Sequence, residues 1–299
     1  MNRLLFLIGR RVDRTRGRVR AARERGRLQR VAPSDAPPPV DPSTVGGTLA
    51  VIPHQADDFL FFSTILARDA AEGRRVLTVH LTAGDDDEDG WYWQAREAGV
   101  RAAYADLHGV ADRWIESTVT VAGAPLTQAT LVGAPRVVLL FLRLPDGRPE
   151  GEGGARSGFA SLRKLWEGDI ATISAIDGSA SHSLTSLLAI LRGLLNDFQP
   201  DHIVTTDHVG AFSDGDHSDH HAAGYLTDLA RAGYDREHVF TGFRGYATEH
   251  LPTNLDEEQI AAKKRLFFTY APSDYKTPQT IEKAEQDLVG AWLTREYAI

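Results

Sequence analysis

From Val45 onward, the hydrophobic pattern alternates between short apolar runs and longer stretches with helical spacing. Residues 47–53, containing Leu49-Ala50-Val51-Ile52, are apolar without alternation, as in a strand buried on both faces. Residues 57–73 place Phe61, Ile65, Leu66 and Ala70 at helical intervals and end on a glycine. Residues 75–81 are β-branched and alternating, which predicts a second strand. Helical patterning returns over 91–107, an apolar strand over 137–142, an amphipathic helix over 183–198, a strand over 202–206, and a helix over 219–232. Strands alternating with helices predict an α/β fold, a Rossmann-like and mostly parallel sheet with helices on both faces. In such sheets ligands bind outside the carboxyl ends of the strands. No internal repeat is present.

Two polar clusters fall at those ends. His54-Gln55-Ala56-Asp57-Asp58 follows the first strand, and Asp216-His217-Ser218-Asp219-His220-His221 follows the strand that ends at Thr206. His54 and Asp57 stand three apart, so both can face one point above the strand end. Capping by Asp57 of its own helix is the plainer alternative. For the second cluster the alternative is a polar turn with exposed histidines. Two histidines and one carboxylate leave a tetrahedral Zn²⁺ with an open position, the catalytic arrangement. Such a metal lowers the pKa of bound water toward roughly 7 and polarises a carbonyl oxygen. A carboxylate that takes the water's proton and an imidazole at the oxyanion or leaving amine complete metal-assisted amide hydrolysis.

At these residues the chain resembles the PIG-L/LmbE-like family of zinc-dependent N-deacetylases. That family carries His-x-Asp-Asp after the first strand and His-x-x-His later, read here as His54-Gln55-Ala56-Asp57-Asp58 and His217-Ser218-Asp219-His220. Leu81-Thr82-Ala83-Gly84-Asp85, the stretch from Tyr92 to Gly99, and Trp292-Leu293-Thr294-Arg295-Glu296-Tyr297 fit as well. The likeness covers about residues 45–299. It implies zinc ligands His54, Asp57 and His220, with His217 assisting at the oxyanion or leaving group. It also implies a substrate that is an N-acyl, usually N-acetyl, amino sugar or glycoconjugate.

The family's general base maps onto residue 56, which is Ala56 here, and a methyl group accepts no proton. Three explanations stand side by side. Ala56 is a substitution that keeps the metal and traps a substrate complex. Alternatively, Asp58 or Asp219 reaches the water by another geometry. Or hydrolysis has been given up for metal-dependent sugar binding or regulation. One residue of shift on a helix turns a side chain by roughly 100°, which counts against Asp58.

Other residues bear less directly on chemistry. Arg96 (with Glu97) and Asp207 (with His208) are expected at the rim as substrate contacts; a surface pair is the plainer reading of the former. Trp91 and Trp93 offer stacking surfaces for a sugar, or core packing. The acidic run Asp85-Asp86-Asp87-Glu88-Asp89 reads as a solvated loop or a cation attractor. Residues 145–158 have no periodicity and read as a mobile loop that covers the substrate or is simply solvated.

Composition narrows the classes. Cysteine is absent, so there is no disulfide framework, thiolate nucleophile or cysteine zinc site, and any metal takes nitrogen and oxygen ligands. Those ligands also accept Fe²⁺, Co²⁺ or Mn²⁺. The net charge of −8 gives no sign of nucleic-acid binding. Residues 1–31, however, hold eleven arginines against Asp13 and Glu24, a local +9. Leu4-Leu5-Phe6-Leu7-Ile8 is far shorter than the roughly 20 residues of a membrane span. The arm lacks the order of a secretory signal. It reads as a solvated basic tail, or as a dock for an anionic membrane surface or acidic partner. Residues 32–42, with Pro33, Pro37, Pro38, Pro39 and Pro42, form an extended linker. The expected organisation is a basic arm and linker over 1–44 and one domain over 45–299. The expected location is the cytoplasm, with membrane contact through the arm.

Overall fold

The structure, a computed structural model, describes residues 46–299. The arm and linker lie outside the described residues. Seven strands form one sheet: β1 (Thr48–Ile52), β2 (Val76–Thr82), β3 (Trp114–Val121), β4 (Ala124–Leu131), β5 (Val137–Leu144), β8 (His202–Thr206) and β9 (Val239–Phe243). A separate two-stranded hairpin pairs β6 (Ile173–Ser174) with β7 (Ser181–His182). The order in the main sheet is β3-β4-β5-β2-β1-β8-β9. The five strands from β5 to β9 are parallel, and the β3–β4 hairpin joins antiparallel at one edge.

The unbroken apolar character of β1 has a direct cause. Ala50 and Ile52 pack into one core layer with Phe59, Tyr104, Phe267 and Tyr270. Leu49 and Val51 pack into the other with Leu187, Leu191 and Leu226. Both faces of a central parallel strand are covered by helices, so no polar alternation survives.

On the first face lie α1 (Asp57–Phe61), α2 (Ser63–Ala71), α3 (Gly90–Leu107) and α7 (Glu257–Tyr270). On the second lie α4 (Leu162–Glu167), α5 (Leu184–Phe198) and α6 (Ser218–Arg231). The short helices α8 (Ile281–Ala284) and α9 (Leu288–Trp292) close the chain. The predicted single helix over 57–73 is two helices. Phe62, at φ −150°, breaks it and lets Phe61 turn to His220 while Phe62 meets Phe243. Several elements had no reading in the sequence: the β3–β4 and β6–β7 hairpins, β9, α7, α8, α9, and α4, whose Ser161 cap accepts the Lys164 amide.

The strand order reverses between β1 and β8. On one side the chain proceeds from β1 to β2 and β5, on the other from β8 to β9, which places the switch point above the His54 turn.

The chain's end locks onto this frame through a buried network. Glu296 accepts from the Ser63 hydroxyl at 2.6 Å and the Thr64 amide at 3.2 Å. Lys263, 1 % exposed, donates to the Arg295 carbonyl at 2.7 Å and lies 3.3 Å from Glu296. Burial pulls the Lys263 ammonium down to about 8 even with Glu296 beside it. The unfolded chain therefore binds the extra proton between pH 8 and 10.5, and folding stability gains as pH rises through that window. Relative to Lys263→Met, the wild type is expected to gain on the order of 3 kcal/mol there, read by denaturant titration. A difference that stays flat across the window refutes it.

Candidate metal centre

The carboxyl ends of β1, β2, β5 and β8 supply one rim. The turn after β1 carries His54 and Asp57, and the loop after β5 carries Asp146. After β8 come Asp216, His217, Asp219 and His220 at the start of α6. All seven side chains are buried, and two groups of possible metal ligands, one of three residues and one of four, form among the described residues around His54.

The first group is His54, Asp57 and His220. His54 Nδ1 lies 3.0 Å from Asp57 Oδ2, and His220 Nε2 lies 3.5 Å from Asp57 Oδ1. Behind each imidazole stands a second carboxylate. Asp216 Oδ1 is 2.7 Å from His220 Nδ1, and Asp219 Oδ2 is 3.2 Å from His54 Nε2. A histidine whose far nitrogen is held by a carboxylate is fixed in ring orientation and made a better metal ligand. His220 Nε2 itself is buried without a hydrogen-bond partner. A buried ring nitrogen without a partner, aimed at a carboxylate and a second imidazole, suits a nitrogen- and oxygen-seeking divalent cation. The donors fit Zn²⁺, which takes nitrogen and oxygen ligands of these types.

The second group joins His54 and Asp219 to Asp146 and His217. Asp146 lies 3.6 Å from both His54 Nε2 and His217 Nε2. His217 caps α6: its Nδ1 accepts the Asp219 amide at 3.1 Å, so a neutral ring carries its proton on Nε2, facing Asp146. Asp219 Oδ2 also accepts the Gly147 amide at 2.7 Å, while its Oδ1 is buried without a partner.

Electrostatics follow from four carboxylates and three imidazoles in one buried space. Burial works to raise the Asp57 carboxyl, but the His54 and His220 imidazoles hold it far below the usual range. Burial would lower His54, yet Asp57 and Asp146 bring it well above its ordinary value. For His220, Asp216 and Asp57 overcome burial and push the ring up to about 10. Protonated imidazoles supply the positive charge that these carboxylates demand, a role a divalent cation would take over.

The local backbone is built for this crowding. A Cβ on Gly245 would collide with His220 Nδ1 and a Cβ on Gly147 with Asp219 Oδ1, so both close approaches require glycine. The Gly245 amide donates to Asp216 Oδ2 at 3.1 Å and the Tyr246 amide to Oδ1 at 3.0 Å, which seats the carboxylate behind His220. Asp216→Asn is expected to weaken metal affinity by about 10–100-fold, read by competition with a chelating dye. Unchanged affinity would show that Asp216 does not orient His220.

Several residues expected at the site do other work. Asp57 is not the cap of α1; Ala56 holds that position and Asp57 Oδ2 turns back to accept the His54 amide at 2.8 Å. Asp58 points into the core, accepting from the Tyr104 hydroxyl at 2.7 Å and the Phe59 amide at 2.9 Å. Burial pushes its carboxyl up to about 7 against the Tyr104 hydrogen bond, with the Asp57 charge adding to the rise. It does not join the cluster, so the alternative base geometry through Asp58 is unsupported.

Arg96, expected to contact substrate, is instead a clamp between loops. It donates to the Gln55 carbonyl at 2.9 Å, the Gly84 carbonyl at 2.5 Å and the Tyr270 hydroxyl at 2.7 Å, with Asp274 at 3.2 Å. It ties the turns after β1 and β2 together beneath the metal ligands. Asp207 likewise folds its own loop, accepting the Val209 and Gly210 amides at 2.8 and 2.7 Å. His208 packs edge-on against Phe240, and His221 is held by Asp214 at 3.0 Å.

Three contributors had no role assigned from sequence. Asp146 sits in the stretch 145–158 read as a mobile loop, and Asp216 was seen without a function. Tyr246 packs its ring 5.0 Å from His220 and stacks on Trp292. Burial, then the Asp57 and Asp216 carboxylates, push its phenol well above the usual value and keep it a proton donor. A Pro-Asp-Gly triplet after an apolar strand was the available signal for Asp146. Nothing local marks Tyr246.

Residues 49–231 match the model of the PIG-L family, described as GlcNAc-PI de-N-acetylase. The chain belongs to this family. Among curated proteins none matches. Solved structures with a similar fold include a deacetylase of the teicoplanin biosynthesis pathway, in complex with bog. It is 17% identical with TM-score 0.49, covering 80% of this chain and 92% of that one. Another is the N,N'-diacetylchitobiose deacetylase of Pyrococcus horikoshii, at 16% identity and TM-score 0.45, covering 82% and 76%. The 4-carboxy-2-hydroxymuconate hydratase GalB of Pseudomonas putida is 15% identical with TM-score 0.44, covering 81% and 87%.

Proposed function

We propose that the protein is a metal-dependent amidase that removes an N-acyl group, acetyl foremost, from an amino sugar or glycoconjugate. In this reading Ala56 slows the hydrolytic step. The observation that carries the proposal is the triad His54, Asp57 and His220, each imidazole backed by a carboxylate and His220 Nε2 left without a partner.

His54, Asp57 and His220 would hold Zn²⁺, or Fe²⁺, Co²⁺ or Mn²⁺ by the same donor chemistry. Bound there, the metal would acidify a water and polarise the acyl carbonyl. His217, whose Nε2 lies 3.6 Å from Asp146, would hydrogen-bond the oxyanion or protonate the leaving nitrogen. Tyr246 offers a neutral hydroxyl on the same side. The position at which the family keeps its proton acceptor holds a methyl group. Asp219, whose Oδ1 has no partner, is the carboxylate left to take that proton, though it is also tied to His54 and Gly147.

A second reading, a metal-dependent sugar-binding or regulatory protein without hydrolysis, is favoured by the same Ala56. Metal analysis with amine release from N-acetylglucosamine and N,N'-diacetylchitobiose separates them. The amidase reading expects about one metal per chain and slow, metal-dependent amine release. Metal without any release across a panel of N-acyl sugars supports the binding reading, and a protein that binds no metal overturns both.

The arginine-rich arm is proposed to make peripheral contact with an anionic membrane surface on the cytoplasmic side. No described helix is long and apolar enough to cross a membrane. The described chain begins beside the amino end of β1, the pole opposite the metal ligands. Anionic liposomes should therefore co-sediment the full chain and not residues 45–299; equal partitioning sinks the idea.

A further inference from the structure

A cavity of about 280 Å³ lies between the second face of the sheet and the last turns of α5, reaching the amino ends of β2 and β5. The metal ligands follow the carboxyl ends of these parallel strands, so the cavity belongs to another part of the molecule. Leu77, Val119, Val121, Leu140, Leu194 and Phe198 give it apolar walls. At roughly 30 Å³ each, a water's share of the liquid, it has room for about nine non-hydrogen atoms. That is too little for a nucleotide and enough for one short aliphatic chain. Walls of this kind offer a water few of the polar partners it needs, and apolar side chains that face a void forfeit packing.

Two cations stand on the wall, and they differ. Arg75 is engaged, donating to the Gly46 carbonyl at 3.4 Å with its guanidinium 4.3 Å from the Phe198 ring centroid. Arg136, just before β5, is not. Its Nε is buried without a hydrogen-bond partner, and among the described residues no carboxylate pairs with its guanidinium. Asp197, the carboxylate on the wall, is exposed on the last turn of α5. The Arg136 charge is felt by His108, which burial first and that charge second lower to about 4. A partly buried guanidinium without a counter-ion is costly, and its planar fork of donors matches a carboxylate. The lone cation and the apolar walls ask for one occupant, with an anionic end and a hydrocarbon tail.

We propose that this cavity binds a medium-chain aliphatic carboxylate, its head on the Arg136 guanidinium and its chain among Leu140, Leu194 and Phe198. The proposal is independent of the amidase reading, because no metal ligand lines the cavity.

Calorimetric titration of the full chain with octanoate, hexanoate and octylamine tests it. Octanoate is expected to bind one per chain. Hexanoate should bind more than about tenfold more weakly, at roughly fourfold for each methylene lost. Octylamine, which keeps the chain and reverses the charge, should be weaker by at least about tenfold. Arg136→Gln should weaken octanoate by about tenfold and erase its advantage over octylamine. Gln128→Trp, at a half-buried position on the wall, should weaken octanoate by filling the cavity. The comparison of head groups and chain lengths in the wild type needs no variant, so the test survives one that misfolds. Affinities should be the same with and without added zinc. Zinc-dependent binding places the carboxylate at the histidine cluster and overturns the proposal. So does equal binding of octanoate and octylamine, undiminished octanoate affinity in Arg136→Gln or Gln128→Trp, or no binding of octanoate at millimolar concentration.

Discussion

Replacing Ala56 with aspartate is expected to raise the rate of amide hydrolysis by about 10²–10⁴-fold, the usual contribution of a positioned general base. Residue 56 lies between two of the proposed metal ligands and is 3 % exposed. Its backbone is left-handed, at φ 82°. Asparagine, aspartate and glycine enter that region more readily than alanine, for which it costs roughly 1–2 kcal/mol. The turn that presents His54 and Asp57 thus has a shape better suited to a short polar side chain than to a methyl group. Ala56→Asp should fold without loss, and Ala56→Gly separates backbone from chemistry. The glycine relieves strain and should raise stability while leaving the rate low. Amine release measured at matched metal content decides the matter. If aspartate gives no more activity than glycine, the missing carboxylate is not what limits hydrolysis.

Metal loading should collapse when Asp57 is made neutral. Among the described residues Asp57 is the carboxylate that faces both His54 and His220, so Asp57→Asn keeps the shape and removes the charge that joins them. The loss should exceed that for Asp216→Asn, which acts only through His220. Linkage gives a readout independent of activity: zinc at about 1,000 times its dissociation constant stabilises the wild type by about 4 kcal/mol. Thermal unfolding with and without zinc should show that gain in the wild type and little of it in Asp57→Asn. An equal gain in both would remove Asp57 from the ligand set.

Much of the frame was legible in the chain because parallel strands buried on both faces leave continuous apolar runs. Strand β8 was bounded at its two ends and β1 and β2 to within a residue or so. The β3–β4 hairpin escaped because its outer strand is half exposed, with a mixed pattern, and its partner is rich in threonine and alanine. The break at Phe62 escaped for another reason. Helical periodicity continues through it, and only the demand that Phe61 and Phe62 reach different neighbours splits the helix.

The site divides along the same line. His54, Asp57, His217 and His220 were found because several metal-binding residue types crowd into short windows after strands. Asp146 stands alone in a glycine-rich stretch, where a carboxylate looks like any solvated one. Asp58, Arg96 and Asp207 show the converse, since residue type cannot say whether a charged group faces a ligand or another part of the chain. Asp58 is spent on Tyr104, Arg96 on the Gln55 and Gly84 carbonyls, and Asp207 on the amides of its own loop.

By itself, then, the sequence determined the layers, the rim and the residues able to bind a metal, because periodicity and short-range spacing are local properties. It also determined that position 56 offers no proton acceptor, since that follows from chemical identity alone. The tertiary structure decided which carboxylate stands behind which imidazole and why Gly147 and Gly245 are glycine. Those relations join residues far apart in the chain, from the turns after β1 and β5 to α6. Contacts at that range depend on strand order and packing, which no local pattern encodes.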